Sequence, residues 1–327
     1  MHRKAFTALL GATVLTLALG ACSDTADQPG SGASGGSGKQ PYVALISKGF
    51  RHQFWQAVKA GAEQAGKEFN VKVTFEGAQE EGNVEQQIQL LQTVIDKHPD
   101  AIGFAAIDSQ AAGPLMQQAK SQKIPVIAFD SGVDSDVPIT TASTDNLAAA
   151  AEAAKHMADK IGHEGKIALV IHDQTSVTGV QRRDGFVDYM KKNEPKIQIV
   201  DTQYSGDPLK ATDLAKAMIT ANPDLKGIYG SNEGAAIGVV HAVQEKGMNG
   251  KLTVVGFDSG KDQIDAIKAG NMAGAITQNP VGIGYETVKA AVAVIKGQKV
   301  EKTIDTGFYW YDKTNIDDPK ISAVLYQ

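Results

Sequence analysis

The stretch that decides the fold is residues 42–69, which read YVALISKGFRHQFWQAVKAGAEQAGKEF. Its first six residues form an apolar run typical of a buried strand, and a polar loop from Lys48 to Gln53 follows. Small or apolar residues then recur at helical spacing: Phe54, Val58, Gly61, Ala65 and Phe69. This segment therefore predicts a strand, a loop and a helix, which is the repeating unit of a parallel sheet.

The same alternation continues along the chain. Further strands are predicted at residues 72–77, 101–106, 125–129, 166–171, 198–204, 227–230, 253–257 and 273–277, with helices between them. The strands are almost continuously apolar, which indicates parallel sheets covered on both faces. A break near residues 143–146 separates two series of strands. We therefore predict an α/β protein of two doubly wound parallel-sheet lobes.

The N-terminal segment has the layout of a secretory signal. A basic start, with Arg3 and Lys4, precedes an apolar run that is shorter than the roughly 20 residues of a membrane-spanning helix. The run ends in LGAC at residues 19–22, which resembles a bacterial lipobox. That resemblance implies cleavage after residue 21 and a diacylglycerol on Cys22. We expect residues 1–21 to be a lipoprotein signal peptide.

Residues 22–40 predict a flexible linker. Almost no apolar side chains occur between Ser23 and Lys39, so this run cannot offset its ordering entropy by burial. Two acyl chains are enough for stable anchoring. We therefore expect an exported protein, lipid-anchored to the cell membrane, on its outer face or in the periplasm.

Composition excludes several classes of function. The chain has a net charge of −5 at pH 7, which argues against a nucleic-acid partner. A single cysteine allows no internal disulfide, and the seven histidines show no metal-ligand spacing. We therefore expect no metal, no cofactor and a fold that depends on its apolar core.

Polar residues stand where four of the predicted strands end. These residues are Asp130, Asn232, Asp258 and Gln278. Ligands of open α/β sheets bind beyond the carboxyl ends of the strands. Two carboxylate acceptors and two amides, which both donate and accept, suit a neutral polyhydroxylated ligand. Each residue could alternatively cap a helix or form a turn.

Two aromatic residues and one arginine are further candidate ligand contacts, because of their side-chain chemistry. Phe54 and Trp55 follow the first strand and its loop, and flat rings there can cover the apolar face of a sugar. Phe54 fits the apolar stripe of the predicted helix, whereas Trp55 lies off it by about 100°. Arg182 could serve several hydroxyls with its five-donor fork, or it could be a solvated surface residue beside Arg183.

Several segments in this order resemble the type I periplasmic binding proteins of the ribose-binding class, which serve ABC importers for monosaccharides and polyols. The segments that carry the resemblance are YVALI, FWQAVKAGA, IPVIAFDS, STDN, RRDGF, YGSNEGAAIG, VVGFDSG and AITQNPVGIG. It covers about residues 42–305. It implies two lobes joined by three crossover strands that close on the sugar like a hinge. By that pattern, the N-terminal lobe holds residues 41–144 and 279–307, and the C-terminal lobe holds 145–278 and 308–327.

The resemblance also implies a set of ligand contacts. Phe54 and Trp55 match the stacking aromatics of the first lobe, and Asp130 matches its main carboxylate acceptor. The polar contacts of the second lobe and hinge fall on Arg182, Asn232, Asp258 and Gln278. We expect a monomer that captures a monosaccharide or polyol and delivers it to the permease of an ABC transporter.

This chain departs from the ribose-binding pattern at several of those positions. Ser131 stands where the ribose binders have an arginine, and Ala105 replaces an asparagine. The second-lobe aromatic has no clear match, although Tyr204 is close. Lys48 and His52 occupy loop positions where small polar or amide residues are usual, and we count both among the candidate ligand contacts. Ribose itself is therefore not the expected ligand.

Three other functions fit parts of the sequence. A receptor for a sugar-like signal, such as an autoinducer or a chemotaxis ligand, would use the same lobes. A glycoside hydrolase could use Asp130 and Asp258 as acid and base, but no G-x-S-x-G, H-E-x-x-H or P-loop motif occurs in the sequence after the predicted linker. A transcription-factor effector domain would need a helix-turn-helix where the lipobox stands. We predict a binding protein and not an enzyme.

Overall fold

A computed structural model describes residues 39–326, and these contain the twelve strands and ten helices of the fold. The strands are β1 (Tyr42–Ser47), β2 (Lys72–Gly77), β3 (Ala101–Phe104), β4 (Val126–Phe129), β5 (Thr140–Ser143), β6 (Gly165–Ile171), β7 (Ile197–Tyr204), β8 (Leu225–Gly230), β9 (Thr253–Phe257), β10 (Gly274–Gln278), β11 (Thr303–Asp305) and β12 (Phe308–Tyr311). The helices are α1 (Gln53–Glu68), α2 (Val84–Asp96), α3 (Gly113–Ser121), α4 (Asn146–Ile161), α5 (Val177–Asn193), α6 (Pro208–Ala221), α7 (Glu233–Glu245), α8 (Lys261–Ala269), α9 (Pro280–Ile295) and α10 (Pro319–Ser322). The predicted signal peptide, Cys22 and most of the predicted linker lie outside the described residues.

The strands form two six-stranded sheets that share one topology. The first sheet has the order β11-β5-β4-β3-β1-β2, and the second has the order β12-β10-β9-β8-β6-β7. Neighbouring strands are parallel except β12, which runs antiparallel to β10. In both sheets the strand order reverses beside the first strand, between β1 and β3 and between β6 and β8. Each lobe thus has a topological switch point, where α/β sheets open a crevice for ligands.

Apolar side chains cover both faces of each sheet. Along β1, Val43 and Leu45 pack on one face, and Ala44 and Ile46 pack on the other. The residues of β6 divide in the same way between two further clusters. All these residues are buried, because helices lie on both sides of each sheet. The predicted fold class, two doubly wound parallel-sheet lobes, is confirmed.

Helix α9 returns to the first sheet after the chain has built most of the second. It packs along α1, with backbones so close that a Cβ added at Gly61 would lie 1.9 Å from the Val281 carbonyl oxygen. A Cβ at Gly284 would lie 1.9 Å from the carbonyl oxygen of Val58. Only glycine permits this approach. These contacts place the helix beside α1.

The chain passes between the sheets three times, after β5, after β10 and after β11. The strands of the first sheet fall inside the predicted ranges 41–144 and 279–307, and those of the second inside 145–278 and 308–327. Near the C-terminal end, Tyr326 packs against Phe54 of the first lobe, with ring centroids 6.1 Å apart. Its hydroxyl accepts a hydrogen bond from the Ser259 N–H of the second lobe at 3.0 Å. The tail therefore touches both lobes.

Three short strands carry no clear sequence signal. Strand β5 reads TTAS and has a single apolar residue, and β11 and β12 are short strands at the edges of their sheets. They pair because the fold brings β5 beside β4, β11 beside β5 and β12 beside β10. Among the described residues, no helix is long and apolar enough to cross a membrane.

Candidate functional site

One cavity lies where the carboxyl ends of both sheets face each other. Eleven residues line it: Lys48, His52, Phe54, Trp55, Glu81, Asp130, His172, Arg182, Asn232, Asp258 and Gln278. All nine residues predicted to contact a ligand are among them. Glu81 and His172 were not predicted. Their joint position is an observation, and the binding role of each residue stays a prediction.

The two strand-end aspartates are positioned by their backbones. Asp130 and Asp258 follow β4 and β9 directly and take φ values of +54° and +80°. This left-handed region is unfavourable for a residue with a Cβ, so the surrounding structure must hold it. Their N–H groups donate to Ala142 and Ile276 of the neighbouring strands. Each carboxyl group is thereby turned off its strand and into the cavity.

Asp130 carries a buried acceptor with no partner. Its side chain is about 2% exposed, and Oδ2 receives no hydrogen bond from the described residues. Lys48 Nζ lies 3.7 Å from that oxygen. Burial raises the pKa of Asp130 to about 6, although Lys48 and Arg182 counteract the shift. A buried acceptor of this kind favours an external hydrogen-bond donor.

Arg182 is held rigidly and is not the solvated arginine that its sequence context also allowed. Nε donates to Asn146 Oδ1 at 2.8 Å, and one terminal nitrogen donates to the Ser231 carbonyl oxygen at 2.9 Å. The guanidinium lies 3.7 Å from the ring centre of Phe257. It is also 3.8 Å from the Asp258 carboxylate. This fork is preorganised, so little side-chain entropy remains to be lost on binding.

Gln278 connects the cavity to the chain crossings. Its Nε2 donates to Asp258 Oδ1 at 2.7 Å, and its Oε1 accepts from Thr144 Oγ1 at 2.8 Å. Asp258 Oδ2 accepts from the Glu233 N–H at 2.9 Å. Thr144 and Gln278 both lie where the chain passes between the sheets. The hinge and the cavity wall therefore share one hydrogen-bond network.

The aromatic pair is buried as a unit. Phe54 and Trp55 pack edge to face with ring centroids 4.9 Å apart, and Trp55 also packs against Phe129. Trp55 is 1% exposed despite lying off the apolar stripe. It is buried because its indole N–H donates to Glu81 Oε1 and its ring fills the space beside the cavity.

Glu81 is the acidic residue that sequence reasoning missed. It lies in the turn after β2, four residues beyond the strand, where no periodic pattern marks it. Its Oε1 also lies 3.3 Å from His52 Nδ1. Burial alone would lower the pKa of His52, but the Glu81 carboxylate raises it to about 9. The same pair holds the pKa of Glu81 well below its usual range, against the effect of burial.

His172 directly follows β6, so the strand-end rule applied to this strand would have found it. Its Nδ1 and Nε2 lie 2.8 Å from Ser231 Oγ and 3.3 Å from Thr178 Oγ1. Burial lowers the pKa of His172 to about 3, so the imidazole is neutral at physiological pH. It is a hydrogen-bonding residue of the wall and not a source of charge.

Polar contacts join the two lobes around the cavity. Lys48 Nζ donates to Thr178 Oγ1 at 2.9 Å. Glu233, the first residue of α7, accepts from the N–H groups of Gln53 and Phe54, each at 3.2 Å. These are the first residues of α1, whose N-terminal end has no side-chain cap of its own. A carboxylate of the second lobe thus caps a helix of the first.

Ala105 and Ser131, where the chain departs from the ribose-binding pattern, do not line the cavity. Ala105 is fully buried, and Ser131 is buried with an unpartnered hydroxyl oxygen. Tyr204, the last residue of β7, is not among the lining residues. Within residues 39–326, no cluster of three or more His, Cys, Asp or Glu side chains is arranged to hold a metal ion.

Comparison with known proteins gives one family. The model of a periplasmic binding protein domain matches residues 43–299. A D-allose-binding periplasmic protein of Escherichia coli is 31% identical over 266 residues, which are 79% of this chain and 85% of that protein.

Solved structures with the same fold contain sugars. A carbohydrate transporter solute-binding protein of Agrobacterium radiobacter, in complex with D-arabinose, is 34% identical with a TM-score of 0.85. The match covers 88% of this chain and all of that one. An ABC transporter solute-binding protein of Agrobacterium vitis with bound D-fucose is 36% identical with a TM-score of 0.84, over 87% of this chain and 100% of that one.

Proposed function

This chain belongs to the periplasmic binding protein family, and on that basis we propose that it captures a neutral monosaccharide or polyol between its lobes and delivers it to an ABC importer. The observation that carries this proposal is the shared cavity. Donors and acceptors from both lobes converge there, and the Asp130 carboxylate offers a buried acceptor without a partner. A ligand rich in hydroxyl groups can satisfy both kinds of group at once.

The charges of the wall favour a neutral ligand. The wall holds three carboxylates and three cationic groups, namely Glu81, Asp130, Asp258, Lys48, His52 and Arg182. A ligand carboxylate would enter a balanced site and lie close to like charges, which costs binding free energy. The pairing of Lys48 with Asp130 and Thr178 further reduces its availability for an acidic sugar.

The ligand can be identified by a thermal-shift screen. The panel would hold D-allose, D-arabinose, D-fucose, D-ribose, xylitol, inositols and tetritols. A ligand that binds the native state alone raises the melting temperature by mass action. Isothermal titration calorimetry would then measure its affinity. Failure of every neutral sugar and polyol to bind would contradict the proposal.

We also propose that the protein works outside the cytoplasm as a lipid-anchored monomer. The support is the LGAC sequence ending at Cys22 and the polar run that follows it. Labelling of cells with a radioactive fatty acid should mark the wild type and not Cys22→Ser. Sedimentation of the detergent-purified chain should give the mass of one copy. Label on the Cys22→Ser variant would contradict the anchor assignment.

The proposed activity is binding without chemical change. The relatives described above are binding proteins by name, and this assignment extends that property to the present chain. Incubation with aryl glycosides separates the two possibilities, since a glycoside hydrolase would release the phenol. Such release by the wild type, lost in Asp130→Asn, would overturn the binding-only assignment.

A further inference from the structure

Glu81 is a charged residue that lines the cavity. It is not among the ligand contacts that the family resemblance implies. It lies in the turn between β2 and α2 and belongs to the first lobe. Its side chain is 17% exposed, whereas that of its neighbour Glu80 is 50% exposed and pairs with Arg51 on the surface. A carboxylate is expensive to bury unless it is paired, so the position of Glu81 needs an explanation.

The two carboxylate oxygens of Glu81 have different partners. Oε1 accepts from the Trp55 indole N–H and lies 3.3 Å from His52 Nδ1, so donors of its own lobe fix it. Oε2 faces the opposite lobe and accepts from Asn232 Nδ2 at 3.2 Å. One oxygen therefore anchors the group, and the other crosses the space in which a ligand would lie.

Asn232 is anchored in a matching way. Its Oδ1 accepts from the Ala235 N–H at 2.8 Å and caps α7, which fixes the side-chain amide. That bond leaves Nδ2, the donor, directed at Glu81. An anchored acceptor of one lobe thus faces an anchored donor of the other.

Resting on the function proposed above, we propose that one ligand hydroxyl inserts between Glu81 and Asn232, donating to Oε2 and accepting from Nδ2. A hydroxyl suits this position because it donates and accepts at the same time. It replaces one bond across the cleft by two, of which the one to Glu81 is charge-assisted. Glu81 is then a residue that determines which ligand is accepted.

The proposal predicts which ligands the site refuses. A deoxy sugar that lacks the bridging hydroxyl leaves Oε2 and Nδ2 without their new partners. A methyl ether at that position accepts but cannot donate, so it fails at Glu81. We expect either change to weaken binding by about tenfold or more, since a buried charged group then loses its hydrogen bond.

The test is a cycle between protein and ligand variants, measured by calorimetry on the full-length chain. Wild type, Glu81→Gln and Asn232→Ser are titrated with D-allose, D-arabinose and D-fucose and with their monodeoxy derivatives. Serine keeps an oxygen that can cap α7 and removes the amide donor. Glu80→Gln is the matched control, because it changes the same residue type one position away on the surface.

The expected result is that Glu81→Gln weakens binding of the parent sugar by about tenfold. Glu80→Gln should stay within about twofold of the wild type, as expected for an exposed pair. One deoxy derivative should bind the wild type more weakly than its parent sugar does. Glu81→Gln should bind that derivative and the parent sugar with nearly equal affinity. Asn232→Ser should remove the penalty of the same derivative.

Two results would overturn the proposal. In the first, the effect of each protein substitution simply adds to the effect of removing any ligand hydroxyl, which would mean that Glu81 acts only by holding Trp55 or His52. The second is coupling of Glu81 and Asn232 to different hydroxyls. If the wild type binds none of the three sugars or other neutral polyols, the proposed function fails and this proposal fails with it.

Discussion

At the scale of single residues, the site contains unfavourable backbone conformations and an unsatisfied hydrogen-bond acceptor where a ligand would bind. Asp130 combines a left-handed backbone, burial and an unpartnered oxygen. Asp258 repeats the backbone conformation at the matching strand of the other lobe, although its carboxylate is bonded within the protein. Such features persist when the surrounding structure enforces them, and they cluster where a protein binds its ligand.

Asp130→Asn should stabilise the ligand-free protein and abolish tight binding. Burial raises the pKa of Asp130 to about 6, so between about pH 4 and 6 the folded state binds more protons than the unfolded state. Its contribution to stability therefore falls as pH rises through that window. An amide has no such charge to bury, and we expect about 3 kcal/mol more free energy of unfolding at pH 7.5.

Urea unfolding at pH 4 and pH 7.5 measures this change, and calorimetry measures the loss of binding. The matched control is Asp136→Asn, an exposed carboxylate that pairs with Lys120. It should leave stability and affinity nearly unchanged. Equal stability of Asp130→Asn and wild type at pH 7.5 would contradict the view that burial of the Asp130 carboxylate costs stability.

At the scale of secondary structure, helix ends and helix contacts connect the two lobes. The N-terminal end of α1 has no side-chain cap of its own, and Glu233 of α7 supplies a carboxylate across the cleft. An acid at a helix N-terminus is favoured by the free N–H groups and by the helix dipole. This contact is possible only when the lobes are together, so it stabilises the closed arrangement.

Glu233→Gln should make closure of the ligand-free protein independent of pH between 6 and 8. Burial raises the pKa of Glu233 to about 7 in the closed arrangement, so closure of the wild type binds protons and becomes less favourable as pH rises through that window. The wild type should therefore be more open at pH 8 than at pH 6, whereas the variant keeps a neutral acceptor for the Gln53 and Phe54 N–H groups at both pH values. Small-angle X-ray scattering would measure the closure.

Glu245→Gln is the control for this experiment, since Glu245 ends the same helix and pairs with Lys216 on the surface. Its scattering curve should match that of the wild type at both pH values. An identical radius of gyration for Glu233→Gln and wild type at pH 8 would refute the role of Glu233 in closure.

Gly284→Ala should destabilise the first lobe. The new Cβ would lie 1.9 Å from the Val58 carbonyl oxygen, so α1 and α9 would have to separate. Overpacking of this kind costs about 1–3 kcal/mol. Gly113→Ala is the control, because nothing lies within 4 Å of its added Cβ. Chemical denaturation would reveal the effect, and a Gly284→Ala variant as stable as the Gly113→Ala variant would contradict the close packing.

At the scale of the whole molecule, two sheets of one topology face each other with their carboxyl edges, and every chain crossing lies beside that cleft. Gln278 and Thr144 bond to each other at the crossings and so tie hinge geometry to the cavity wall. The tail adds a further link through Tyr326. Closure in such a fold is a hinge motion, and ligand binding shifts the population toward the closed form.

Tyr326→Phe should separate the two roles of the tail. The phenylalanine ring keeps the contact with Phe54, but the buried Ser259 N–H loses its acceptor. An unpaired buried donor costs about 1–3 kcal/mol, and we expect the free energy of unfolding to fall by that amount. Tyr309→Phe, which removes a hydroxyl from a residue that is 43% exposed, should change little in the same urea titration. A Tyr326→Phe variant with wild-type stability would show that the hydroxyl contributes nothing.

Much of this organisation follows from local sequence patterns. The apolar runs and helical spacing predicted nearly all the central strands and helix α1 within one or two residues, because each pattern is a property of neighbouring residues. Parallel strands end at one edge of a sheet, so Asp130, Asn232, Asp258 and Gln278 could be placed together without coordinates. Local patterns did not predict the edge strands β11 and β12, since their pairing depends on partners far away in the chain.

What the sequence determined by itself is the α/β class, the two lobes and the strand-end residues of the cavity, because these depend on periodicity and on the direction of strands. The partners of those residues depend on how the lobes meet. Glu81 lies in a turn without periodic signal, and its bond to Asn232 joins residues 151 positions apart. In the sequence, Glu233 cannot be distinguished from other acidic residues at the start of a helix. Its role as a cap depends on the position of α1 opposite it. Such contacts are fixed only when the folded lobes come together, since burial and distance are properties of the tertiary structure.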